Sequence, residues 1–165
     1  MLHSLEARQL LQQRPALAAH VRALRTSFRA LLGTDLTPPG PDAASEAMAL
    51  YDAPFAVLSH GCEADPVLNF GNRVALDLWE RDFEAFTQIP SRLTAEPVLV
   101  EARAALLETV SRQGYLDNYS GVRISANGRR FEIARAIVWT VSDADGRALG
   151  QAATFDAWEM LPQGA

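Results

Sequence analysis

The chain has 165 residues, room for one domain and a short extension, and its 48% hydrophobic content supplies a core without cross-links. One cysteine, Cys62, excludes an internal disulfide framework and points to a reducing, cytoplasmic setting, and the absence of lysine excludes Schiff-base and phosphate-loop lysine chemistry. The net charge of −5 is uneven: residues 1–33 set Arg8, Arg14, Arg22, Arg25 and Arg29 against Glu6 for +4, leaving −9 on a body that repels phosphate backbones, so nucleic acid is not an expected partner.

In chain order, Ser4 is placed to cap a short helix ending near residue 13. Arg8 and Arg14 interrupt the N-terminus before the apolar stretch of a signal peptide can build. No apolar run approaches the roughly 20 residues that span a bilayer, so no membrane partner is expected. Pro15 fits the first turn of a second helix, where its missing N–H is harmless. Leu17, Val21, Leu24, Phe28 and Leu31 then recur at 4-3-4-3 spacing, a narrow apolar seam that Gly33 ends. The seam is too short for a free-standing coiled coil. It must pack on its own domain or on a second copy, and the heptad-like spacing favours a homodimer with these five residues as its interface. The arginines of this helix would then face solvent or the acidic body. Residues 33–44, with Pro38, Pro39, Gly40 and Pro41, read as a stiffened linker. The expected division is an extension over 1–44 and a domain over 45–160.

Ser45 is the expected cap of a short helix over 46–51. Two short strands follow, 55–60 and 67–70, joined by the turn-rich 61–66. Asn72 begins a helix carrying Val74, Ala75, Leu78 and Trp79, and a short helical piece follows at 83–86. Thr94 is the expected cap of a longer helix, with Glu96 and Pro97 in its first turn and Val98, Ala102, Ala105, Leu106 and Val110 on its inner face. Gly114 closes it. Three longer strands finish the chain, 116–125, 130–141 and 148–158, with Asn127-Gly128 and Asp145-Gly146 as the turns between them. Helices grouped in mid-sequence must cover one face of one antiparallel sheet. The fold class is therefore α+β, a five-stranded antiparallel sheet with helices on one face, preceded by N-terminal helices.

That order of elements is the order of a PAS domain. The strings YDAPFAVLSHG, DPVLNFGNRVALDLWE, PSRLTAEP, YSGVRISANGRRFEI and GQAATFDAW, in that sequence, resemble the MEKHLA family over residues 51–158. The resemblance implies a PAS-related domain, found as small stand-alone bacterial proteins and at the C-terminus of plant class III homeodomain-leucine zipper factors. The hexamer that names the family is absent. The family brings no agreed ligand or activity, so the resemblance implies architecture and leaves chemistry open. PAS relatives often carry haem or flavin. The haem-binding ones place a histidine on the long mid-domain helix, and residues 94–112 hold none; the photoreactive flavin ones carry an Asn-Cys-Arg string on a mid-domain helix, whereas Cys62 lies near the first strands. Both cofactors are disfavoured, and the cofactor stays unknown.

Few residues form a catalytic or metal set. His60 and Cys62 would share a strand face, but Gly61 invites a bend and zinc wants three or four ligands, so no metal is expected. Ser59 beside His60 points the other way along a strand and is no dyad. Asp143 and Asp145 belong to a turn in which aspartates bond their own backbone. Asn69, Asn72 and Arg92 lie in the family-like strings; Asn72 reads as a helix cap, and Arg92 is open to Glu96 or to a ligand acid.

A stronger signal is polar residues in the phase of the core. Strict alternation puts Asn118 and Ser120 with Leu116, Val122 and Ile124; Arg135 with Phe131, Ile133, Ile137, Trp139 and Val141; and Gln151 with Leu149, Ala153 and Phe155. A polar group turned into a core needs a partner. Asn118, Ser120, Arg135 and Gln151, with Trp139, are therefore candidate lining residues of a small-molecule pocket under the helices. Two bland accounts compete: the groups satisfy one another, or a bulge flips the phase of a strand. The reading is a sensory or small-molecule-binding module. The runner-up is a ligand-free interaction module, and an enzyme is third, because no nucleophile, base and acid converge.

Overall fold

A computed structural model describes residues 9–95 and 100–162. A short helix is seen over residues 9–13; its expected cap, Ser4, lies outside the described residues. Helix α1 (Pro15–Leu32) begins with its proline in the first turn and ends on Gly33 in the left-handed conformation, φ 77°. Helix α2 (Ala43–Tyr51) is capped by Asp42, which accepts from the Ser45 N–H at 2.8 Å, so Ser45 sits inside the first turn and not at the cap. Strands β1 (Ala56–His60) and β2 (Leu68–Gly71) precede helices α3 (Arg73–Trp79) and α4 (Phe83–Phe86) and a 3-10 turn, Ser91–Thr94. Helix α5 (Val100–Gln113) leads to β3 (Tyr115–Ile124), β4 (Arg130–Ser142), β5 (Ala148–Phe155) and β6 (Ala157–Met160). The expected final strand is thus two. The chain bends at Asp156, and β6 pairs with the first residues of β4. Thr94 closes the 3-10 turn; the rest of its expected cap, Glu96 and Pro97, and the apolar Val98 lie outside the described residues. On α5, Val110 is buried, whereas Ala102 and Ala105 are exposed and do not form an inner face.

The sheet runs β2-β1-β5-β4-β3, antiparallel at every pair. It is strongly curled, and two isolated bridges prove it. Val67, just ahead of β2, pairs with Pro90, and Ala95 pairs with Arg123 of β3. On a flat sheet those outlying partners would stand about 29 Å apart, at about 4.8 Å per strand. The chain from Pro90 to Ala95 reaches at most about 18 Å even when extended. The edges are drawn together, and the helices between β2 and β3 lie inside the curl.

Trp79 fills one end of this inner face. Its ring meets Phe131 at 5.1 Å, Phe86 at 6.1 Å and Phe155 at 6.2 Å, and its indole N–H donates to the Thr94 carbonyl at 3.0 Å. Asn72, fully buried, caps α3 as expected and does more. Its Oδ1 accepts from the N–H groups of Ala75 at 3.2 Å and Val57 at 3.0 Å, and its amide donates to the carbonyls of Phe55 at 2.7 Å and Leu50 at 3.1 Å. One side chain ties α2, β1 and α3 together.

Candidate functional site

Directly opposed residues in a sheet point to the same face, so the register maps the inner face. One row crosses all five strands: Gly71, Leu58, Ala153, Val138 and Leu116. Its members are apolar and small to medium in size, and all but Gly71 are only half-buried. Gly71 is needed there, because a Cβ would stand 2.6 Å from the Phe86 ring. The next row carries Leu68, His60, Gln151 and Thr140. Gln151 lies in this row with its Oε1 buried and without a hydrogen-bond partner. An orphan of this kind costs about 1–3 kcal/mol. The inner face therefore has an aromatic plug at the Trp79 end and, at the other, a half-open apolar floor ending in an unsatisfied amide.

The other proposed lining residues are elsewhere, and bulges are the reason. Between Leu116 and Tyr119, β3 gains a residue on β4, with Asn118 in the left-handed conformation, φ 57°. Between Ile133 and Ala136, β4 gains one on β3, with Arg135 at φ 54°. Each extra residue resets the alternation. Phe131 and Ile133 face inward, while Ile137, Trp139 and Val141 face outward. Asn118, Ser120 and Arg135 are exposed and do not point into the inner face. Trp139 is fully buried, but under α1 on the outer face, where the Phe28 ring meets it edge-on at 5.0 Å. Only Gln151 points to the helix-covered side.

The outer face also corrects the expected dimer seam. Val21, Leu24 and Phe28 are 1%, 0% and 6% exposed, and Leu17 and Leu31 are half-buried against the same core. Helix α1 lies on its own sheet, so these five residues present no apolar stripe to a second copy. Its arginines meet the acidic body: Arg25 bonds Glu46 of α2 and both the hydroxyl and carbonyl of Thr37, Arg29 pairs with Asp35 at 2.8 Å, and Arg14 with Glu84 at 2.9 Å.

The remaining singled-out residues are structural. Asp143 Oδ1 accepts from the N–H groups of Asp145 and Arg147, each at 2.9 Å, as a turn requires. Arg92 pairs with Asp65 at 3.2 Å on the surface. Cys62 is exposed in the β1–β2 turn, its Sγ 3.5 Å from the Ala148 carbonyl oxygen. A cleft of about 540 Å³ lies between α1, the end of α5 and the β4–β5 turn. Its best-placed polar groups are occupied: Ser27 Oγ bonds the backbone of Ser142 in both directions, and Asp143 serves its own turn.

The sequence profile of the MEKHLA domain matches residues 18–160. The chain belongs to the MEKHLA family. Among curated relatives, the rice homeobox-leucine zipper protein HOX9 (Oryza sativa subsp. indica) is 27% identical over 140 residues, 82% of this chain and 16% of the relative. ATHB-9 of Arabidopsis thaliana, also a homeobox-leucine zipper protein, is 28% identical over 133 residues, 79% of this chain and 16% of its own length. The MEKHLA chain thus spans about a sixth of the curated relatives it matches. Among solved structures, a PAS domain from Colwellia psychrerythraea superposes with a TM-score of 0.59 at 13% identity, over 71% of this chain and 94% of that one. An RNA-binding Light-Oxygen-Voltage receptor gives 0.57 at 17%, over 73% and 36%. A Light-Oxygen-Voltage protein of Rhodobacter sphaeroides gives 0.54 at 13%, over 71% and 66%. The fold is PAS-like.

A flavin with thiol photochemistry does not fit these residues. The chain's one cysteine lies in an exposed turn and not on a helix over the inner face. Among the described residues no helix is long and apolar enough to cross a membrane. Sequence alternation located Gln151; it did not locate the apolar row beside it, whose members are ordinary core residues until the register aligns them.

Proposed function

We propose that this MEKHLA chain is a regulatory, sensory module that binds a small molecule on the inner face of its sheet and carries out no catalysis of its own. The observation that carries this is the buried, unpartnered Oε1 of Gln151 beside a half-open apolar floor. A ligand with an N–H or O–H group over that floor would satisfy the amide and cover apolar surface in one step. The sensory domain corresponds to residues 45–160, with 1–44 as an extension whose helix α1 packs onto it, and its place is the cytoplasm. The acidic body argues against nucleic acid as a direct partner.

Native mass spectrometry of the full chain tests the reading. Support is a non-covalent adduct that denaturation releases and that Gln151→Leu loses while staying folded. A bare wild-type chain, or an adduct untouched by Gln151→Leu, counts against it.

A second reading, an interaction module, is favoured by Trp158 and Met160. They stand 37% and 40% exposed on the short edge strand β6. Sedimentation decides it: self-association abolished by Trp158→Ser supports this reading, and a monomer at high micromolar concentration counts against a homotypic form.

A further inference from the structure

The outer face holds a polar cluster that the proposed ligand site does not use. It joins His20 on α1, Ser59 on β1 and Asn69 on β2. The β1–β2 register slips between Ser59 and His60, setting Ser59 opposite Phe70 and His60 opposite Leu68. Asn69 is the extra residue, and the bulge turns its amide toward Ser59 and away from the inner face that alternation would give it. Ser59, almost fully buried, donates its hydroxyl proton to Asn69 Oδ1 at 2.5 Å. Its oxygen is then left as an acceptor, 2.9 Å from His20 Nε2. With the amide so oriented, His20 must bring the N–H, and the neutral imidazole keeps a bare Nδ1.

A second proton would go onto that Nδ1, in surroundings that offer no free countercharge among the described residues. The side chains facing His20 from β1 and β2 are Ser59, Asn69 and Phe70, the last with its ring centroid 6.3 Å from the imidazole. On this face β4 and β5 present Ile137, Trp139, Val141 and Ala152. Among the described residues, the charged groups on and around α1 are Arg14, Arg22, Arg25 and Arg29, with Glu46 on α2, Asp35 in the linker and Glu84 on α4. Those three carboxylates are taken by Arg25, Arg29 and Arg14. Burial pushes the His20 imidazole below its ordinary 6.5, and the bond to Asn69 opposes this only in part.

We propose that His20, Ser59 and Asn69 form a proton-operated latch on the N-terminal half of α1, closed at neutral pH and loosened in mild acid. The C-terminal half stays docked, because Leu24, Phe28, the Ser27–Ser142 pair and the Arg25–Glu46–Thr37 cluster all lie at or beyond residue 24. The N-terminal half buries Val21 and the small Ala23, with Leu17 and Ala18 partly buried, besides His20. The sign follows from linkage. The docked imidazole is harder to protonate than the free one, so the latch is at full strength above about pH 6.5 and weakens as pH falls below it. The opening equilibrium grows by at most about tenfold per pH unit.

Hydrogen exchange of the full chain at pH 7.5, 6.5 and 5.5, corrected for intrinsic rates, tests the latch. Residues 15–23 should lose protection by up to about fivefold between the two lower pH values, while 24–32 stay unchanged. His20→Gln, whose amide still donates to Ser59, should flatten that response. Ser59→Ala, which removes the acceptor, should leave residues 15–23 less protected already at pH 7.5. The latch is refuted if wild-type residues 15–23 exchange alike at all three pH values, or if His20→Gln keeps the acid response. Should His20→Gln fail to fold, the wild-type profile and Ser59→Ala decide. Both halves of α1 loosening together would also overturn it, since that is a global acid effect. The inference does not rest on the ligand reading, and Gln151→Leu should leave the response intact.

Discussion

The two faces of the curled sheet are built to different standards. On the outer face, Leu24, Val21 and Phe28 close over Trp139 and Val141, Arg25 is matched by Glu46 and Thr37, and Ser27 meets both backbone groups of Ser142. Both faces keep a buried polar atom without a partner, Trp139 Nε1 outside and Gln151 Oε1 inside, and the Trp79 end of the inner face is as well packed as the outer face. What differs is the inner row through Leu58, Ala153 and Val138, which stays half-buried beside Gln151 while Trp139 is closed over by α1. The contrast separates a face that holds the protein together from one left unfinished by its own residues.

The sharpest break in this comparison is the double substitution Leu24→Glu with Phe28→Glu. An exposed dimer seam would tolerate it and yield a folded monomer. A seam buried on its own sheet cannot, and the variant should unfold, seen as loss of the cooperative urea transition; Leu24→Ala alone should cost about 2–5 kcal/mol. Next comes Glu46→Ala, which strands Arg25 in a nearly closed site; a loss of about 3 kcal/mol in chemical denaturation is expected. On the inner face the sign reverses. Gln151→Leu removes an unsatisfied acceptor, so the ligand-free protein should gain about 1 kcal/mol, whereas equal destabilisation on both faces would erase the distinction. The smallest effect lies outside both faces, at Glu80. The Ser125 hydroxyl, bonded at 2.6 Å, and then Arg129 hold its carboxyl below the ordinary 4.5. Its contribution is present above that value and lost as pH falls through the lowered one. Wild type and Glu80→Gln should therefore differ in thermal midpoint at pH 6 and converge toward pH 3.

Much of the architecture was legible in the chain. Periodicity and turn residues placed α1, α3 and the five main strands, because a buried face imposes its period locally. Asn72 was readable as a cap because its side chain serves a backbone three residues away. Asp42 took the cap expected of Ser45, since either side chain can begin that turn. Of the polar residues in core phase, Gln151 alone survived, because β5 keeps its alternation through that stretch, whereas β3 and β4 each insert a residue.

Strand alternation, the α1 seam and the family strings of this MEKHLA chain are properties of neighbours in sequence, and the sequence by itself determined them. Two matters were left to the tertiary structure. The seam residues obey one spacing whether they meet a twin or their own sheet, and only the packing of α1 over Trp139 decided between these. The phase of Asn118 and Arg135 depended on left-handed bulges that no local glycine announces, and their cost is met only by the pairing of β3 with β4. His20, Ser59 and Asn69 stand far apart in the chain; they are neighbours because a helix, a strand and a bulge converge on one spot.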